Sequence, residues 1–188
     1  MQAIKDKDGT LASTSTLDPL PPVLRHGLKA VSILGFLSFL SSSTLFFYLT
    51  HKLIKWRVRG QADKGYNQFL LLIYNLFIAD IQQSLAFLLT VRWLAEDKID
   101  VQTSTCWAEG WFVSTGDLAS GTWIFAIALH TFFAVIKGKK LPYSVFLAAI
   151  AGLWLFIYAL AIAGVASHGK NFYVRAGAWV CLITTQLI

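Results

Sequence analysis

LPYSVFLAAIAGLWLFIYALAIAGVA, residues 141–166, contains no charged side chain and no side-chain amide. At 1.5 Å of rise per residue, about 20 apolar residues cross a hydrocarbon core of roughly 30 Å, so this stretch reads as a membrane-spanning helix. Three further stretches, residues 28–50, 68–94 and 107–136, are predominantly apolar and as long or nearly so. The chain is therefore expected to be an all-α membrane protein with four transmembrane helices. Composition agrees: 56% hydrophobic residues against 14% charged ones cannot clothe a water-soluble surface around an ordinary core. The charges cluster in the gaps between stretches. The net charge of +6 thus describes loop topology, and no basic stripe interleaved with aromatics suggests a nucleic-acid partner.

Lysine and arginine set the expected orientation. The first gap carries Lys52, Lys55, Arg57, Arg59 and Lys64, and the third carries Lys137, Lys139 and Lys140, with Asp63 the lone acid. Both gaps are expected on the cytoplasmic side. The middle gap holds Glu96, Asp97 and Asp100 against Lys98, which suits the outer side and places the N-terminus outside, in a multi-pass plasma-membrane protein. Residues 1–26 are polar, carry Thr-Ser repeats and end in Pro19, Pro21 and Pro22, and read as a disordered outer tail. The first apolar run is too long for a signal-peptide core and reads as a signal anchor. Residues 27–166 form the transmembrane domain, and residues 167–188 an outer loop and a shortened C-terminus.

Inside the membrane the informative residues are the costly ones. An acid at mid-helix costs about 2.5 to 3.5 kcal/mol on insertion scales, so Asp80 must face the bundle and find partners. Asn75, Gln83 and Ser84 lie on the same helix to share that work, either as a structural polar network or as an ion-binding or switching site. Asp117 stands eleven residues after Cys106, a separation that returns within about 20° of the same direction on a helix. The two therefore share a face, with Gly110, Ser114, Gly121 and Ala128 on or near it. Gly116 and Ser120 form a small-x-x-x-small pair that admits a neighbouring helix closely. Glu109 is expected at the interface, solvated or in reach of a ligand. Trp93, Trp107, Trp111 and Trp179 suit one interfacial belt and Trp56 the other, while Trp123 and Trp154 are placed deeper, for packing. Cys106 and Cys181 fall on the expected outer side, where an oxidising compartment permits a bridge.

The run Asn75-Leu-Phe-Ile-Ala-Asp80-Ile-Gln-Gln-Ser84, followed by Ser104-Thr-Cys106-Trp-Ala-Glu-Gly-Trp111-Phe-Val-Ser-Thr-Gly-Asp117, resembles fungal seven-helix G protein-coupled receptors of the glucose-receptor and cAMP-receptor-like group. His130-Thr-Phe-Phe, Lys137-Gly-Lys-Lys-Leu-Pro142 and Leu153-Trp154-Leu continue the likeness through the fourth helix. The resemblance implies that Cys106 at the top of helix three bridges to Cys181 in the second outer loop. It also implies that Asp80 joins an interior polar network and that an outer cavity takes a nutrient or other small-molecule ligand; Asp80, Asn75, Asp117, Glu109 and Trp111 are the candidates for ligand binding or for the polar network. Arg57, Arg59, Lys137, Lys139 and Lys140 would then meet the α subunit of a heterotrimeric G protein that feeds the cAMP pathway. Those basic residues also satisfy the topology rule and meet anionic membrane lipid whether or not a protein partner exists.

The departures are as specific as the match. The chain ends after four helices, so helices five to seven of the family are absent and a truncated receptor is expected. Relatives read Ala-Trp-Cys-Trp-Ile in the outer loop, where this chain reads Ala178-Trp179-Val180-Cys181-Leu182-Ile183. No cofactor is required by the receptor reading. Two other readings stand beside it. His51 with His130, and His26 with His168, could hold haem in a four-helix electron carrier. The chain could also be a non-signalling membrane scaffold that pairs with a full-length receptor as an oligomer. No G-x-S-x-G elbow, H-E-x-x-H pair or phosphate loop points to an enzyme.

Overall fold

A computed structural model describes residues 18–58, 68–100, 103–138, 142–168, 173–176 and 180–183. Helices α1 (Pro22–Val58), α2 (Gln68–Glu96), α3 (Ser104–Lys137) and α4 (Tyr143–His168) follow one another, and all four are long and apolar enough to cross a membrane. The protein is an all-α membrane protein with four transmembrane helices. A short antiparallel pair, β1 (Tyr173–Ala176) and β2 (Val180–Ile183), follows α4 in the segment expected to be an outer loop. Tyr-Val-Arg-Ala and Val-Cys-Leu-Ile are rich in the aromatic and β-branched residues that suit a pleated ribbon.

The N-terminal tail is shorter than expected. Helix α1 already begins at Pro22, and with 37 residues it runs about 55 Å, well past the apolar stretch 28–50. Proline is tolerated in the first helical turn because its missing N–H would find no partner there anyway. The added turns are held by packing: Leu20, Leu24 and Leu28 are buried with Trp93, Ile99 and Cys106 in one apolar cluster. That cluster ties the start of α1 to the α2–α3 connection. The Leu20 N–H donates to the Asp97 carbonyl at 3.1 Å, and Arg25 Nε lies 3.9 Å from Asp97 Oδ1. Asp97 itself takes the left-handed conformation (φ 51°) that stops α2, a conformation Asp tolerates better than most residues. Thr103 then caps α3, its side chain accepting from the Cys106 N–H at 3.3 Å.

Helix α2 sits at the centre, with α1 and α3 against it. Two glycines set the spacing. A Cβ at Gly35 would meet Phe87 Cβ at 2.5 Å, and one at Gly116 would meet the Gln83 backbone at 2.8 Å. Gly116 and Ser120 therefore serve as the small pair expected from sequence, and the helix they admit is α2. A second apolar cluster, Leu72, Ala79, Ala119, Trp123, Phe146 and Ile157, joins α2, α3 and α4. Trp123 and Trp154 meet there with ring centroids 5.6 Å apart, which matches their expected packing role. At its far end α3 stops on Gly138, whose φ of 58° is the left-handed geometry glycine adopts at little cost.

Candidate functional site along the second and third helices

Four polar side chains of α2 make hydrogen bonds across to neighbouring helices. Ser120 Oγ of α3 donates to Asp80 Oδ1 at 3.1 Å. Gln83 donates through Nε2 to Asp117 Oδ1. Trp154 Nε1 of α4 donates to Asn75 Oδ1 at 2.8 Å, and Gln82 Nε2 donates to the Tyr158 hydroxyl at 2.7 Å. The expectation that Asn75, Gln83 and Ser84 would serve Asp80 is thus corrected. Asn75 serves Trp154, Gln83 serves Asp117, and Ser84 Oγ donates to the Ile81 carbonyl at 2.9 Å.

Asp80 and Asp117 therefore occupy one seam between α2 and α3, each held by one neutral donor of the opposite helix. Asp80 is half-buried and Asp117 exposed. The shared face of Cys106 and Asp117 is realised in two parts. Toward the α2–α3 end it is covered: Cys106 and Gly110 are buried, and Ser114 Oγ lies 3.2 Å from the Tyr173 hydroxyl of β1. From Asp117 onward it is open.

Glu109 departs most from expectation. It is fully buried, with Thr90 Oγ1 donating to Oε1 at 3.0 Å and Trp93 Nε1 donating to Oε2 at 2.7 Å. The solvated placement is therefore overturned, and Trp93, expected in an interfacial belt, is also fully buried. Glu109 faces Thr90 and Trp93 of α2, and the extended start of α1 covers Trp93. A carboxylate can be buried there because charge-assisted donors satisfy both oxygens. Beside it, Arg92 donates to Glu96 at 2.8 Å and to Thr105 Oγ1. Trp111 is half-buried, stacked on Trp107 at 5.5 Å, and Trp107 meets the Tyr173 ring edge-on at 6.0 Å.

Cys106 is disulfide-bonded. The chain's other cysteine is Cys181, on β2, which pairs with β1 at Arg175. The Cys181 side chain lies outside the described residues, as do Arg59, Lys139, Lys140 and Trp179 and the side chains of Arg57, Lys137 and His168. Near the opposite end of the bundle, His130 Nε2 lies 3.1 Å from Gln68 Oε1, and Lys52 Nζ sits 5.2 Å over the Trp56 ring.

Nothing in the sequence marks the Glu109 donors as such. Thr90 and Trp93 precede it by nineteen and sixteen residues, and only the antiparallel return of α3 beside α2 brings them together. Gln82 and Tyr158 are likewise invisible as a pair, being 76 residues apart. Compared with known protein families and with curated proteins, the chain matches none.

Proposed function

We propose that this chain is the four-helix portion of a plasma-membrane G protein-coupled receptor, N-terminus outside, that senses a nutrient or other small molecule. In this reading it signals through the α subunit of a heterotrimeric G protein to the cAMP pathway. The observation that carries the reading is the disulfide-bonded Cys106 in the first turn of α3, with a β-hairpin lying against that end of the helix. The interhelical network of Asp80, Ser120, Asn75 and Trp154 adds support, because such a network couples three helices through polar contacts a ligand could bias. Trp111, Glu109 and Asp117 border the ligand side, and Arg57, Arg59, Lys137, Lys139 and Lys140 form the G protein side.

The test is association with a fluorescent fungal Gα at the membrane of living cells, read by energy transfer to the tagged chain. Association is expected, with loss when the five basic residues are replaced by glutamine and a change when glucose follows starvation. Transfer that is absent, or indifferent to all five replacements at equal membrane level, would remove the receptor reading and leave anionic lipid as the partner of those loops.

A further inference from the structure

The start of α1 is fastened to the α2–α3 connection mainly by leucines. Leu20, Leu24 and Leu28, four residues apart, are buried with Trp93, Ile99 and Cys106 in one apolar cluster. Two polar ties join them. The Leu20 N–H donates to the Asp97 carbonyl at 3.1 Å, and Arg25 Nε lies 3.9 Å from Asp97 Oδ1 with both side chains about half-exposed, a pair of little strength. Helices α2 and α3, by contrast, are bound to each other through the hydrogen bonds of Glu109, Asp117 and Asp80 and by their close approach at Gly116. Of the helices that enclose this cluster, α1 has the end that is released at least cost.

Cys106 is disulfide-bonded and fully buried within that cluster. A disulfide is reduced by a thiolate that reaches one of its sulfurs, so a sulfur without access is protected while the cluster stays closed. Three of the cluster's six residues come from the start of α1. Losing them leaves Trp93 and Ile99 alone beside the cysteine.

We propose that residues 20–28 are a strap that seals the Cys106 disulfide, and that release of the strap lets a dithiol reductant open it. One thiolate of the reductant attacks Cys106 Sγ and forms a mixed disulfide, while the other cysteine of the bond leaves as a thiolate. The reductant's second thiol then displaces Cys106 and closes a cyclic disulfide. Two electrons and two protons pass to the protein, and both cysteines end as thiols. The hairpin is then held to α3 by non-covalent contacts, among them Tyr173 with Ser114 and with Trp107. The strap is thus a redox-sensitive device at this end of the bundle. It needs neither a ligand nor a G protein, so it and the signalling reading can fail separately.

The experiment follows reduction of the whole chain in detergent micelles by dithiothreitol at pH 8, where the Tyr173 phenol keeps its proton. Thiols are alkylated at timed intervals and counted by mass. Leu24→Ala is expected to speed reduction about tenfold, because the lost burial weakens the closed strap. Leu24→Met, which nearly conserves volume, should stay within about twofold of the parent rate. Val23→Ala, at an exposed position beside Leu24, should leave the rate unchanged. Phe146→Ala, in the other apolar cluster, separates strap release from unfolding: it should lower the unfolding midpoint and leave the reduction rate as it was. Acceleration by Phe146→Ala equal to that by Leu24→Ala would mean that the bond is reached by general unfolding. A parental rate for Leu24→Ala would mean that the strap is not the seal. Either result overturns the proposal.

Discussion

Replacing Glu109 by alanine leaves the Trp93 indole N–H and the Thr90 hydroxyl without acceptors in a fully buried site. Each orphaned group costs about 1 to 3 kcal/mol, so Glu109→Ala is expected to lower the unfolding midpoint in detergent far more than Glu109→Gln, which keeps an acceptor oxygen. Equal losses for the two variants would remove the hydrogen bonds as the cause. Asp80 behaves differently, because its donor is one hydroxyl and its site is half open. Asp80→Asn should insert and pack as the parent does, while a reporter of glucose-evoked Gα association should respond less. A full response would confine Asp80 to a structural role. Tyr173 gives a pH prediction. Burial pushes its phenol above the usual value of 10.0, and the Ser114 hydrogen bond offsets part of that rise. The folded state thus holds the phenol proton more tightly than the unfolded chain. Its contribution to hairpin docking is complete below the usual tyrosine value and is lost as pH rises through the higher folded one. Phosphine reduction of the Cys106 disulfide should therefore accelerate in that alkaline window, and Tyr173→Phe should remove the acceleration.

Among elements, the contact of α2 with α3 depends on a missing side chain. Gly116→Ala places a methyl 2.8 Å from the Gln83 backbone, which cannot swing aside as a flexible side chain would. Forcing the helices apart is expected to cost about 1 to 3 kcal/mol and to lengthen both the Asp80–Ser120 and the Asp117–Gln83 contacts. Thermal unfolding in detergent should show the loss, whereas Gly152→Ala, which meets open space on α4, should be neutral or stabilising. How much of an element was legible depended on what ended it. The spans of α2 and α4 follow their apolar runs closely, since charge or proline bounds both. Helix α1 was misjudged by about a turn and a half at its start because proline and polar residues there resemble a tail, and only contact with Trp93 and Ile99 makes Leu20 and Leu24 core residues. The β-hairpin was likewise illegible: four-residue strands have little stability alone, and this pair lies against α3.

Over the whole molecule, cysteines placed at Gln61 and Lys139 are expected to react with impermeant thiol reagents only after cells are opened. The disulfide at Cys106 can be retained in that experiment, and labelling of intact cells would reverse the orientation drawn from the basic loops. The number of spans and their approximate limits were determined by the sequence alone. Hydrocarbon admits only backbone that satisfies its own hydrogen bonds, so a run of about 20 apolar residues has one solution whatever surrounds it. The same reasoning made Asp80 and Asp117 conspicuous, since the cost of an acid in that medium does not depend on its neighbours' identities. What those acids bond to was decided by tertiary structure, because partners such as Ser120 and Gln83 are set by the offset between antiparallel helices. The burial of Glu109 and the exposure of Asp117 were decided there too. Both are acids on α3, and the difference between them is that Thr90 and Trp93 of α2 take both oxygens of one while no described element reaches the other acid's open side.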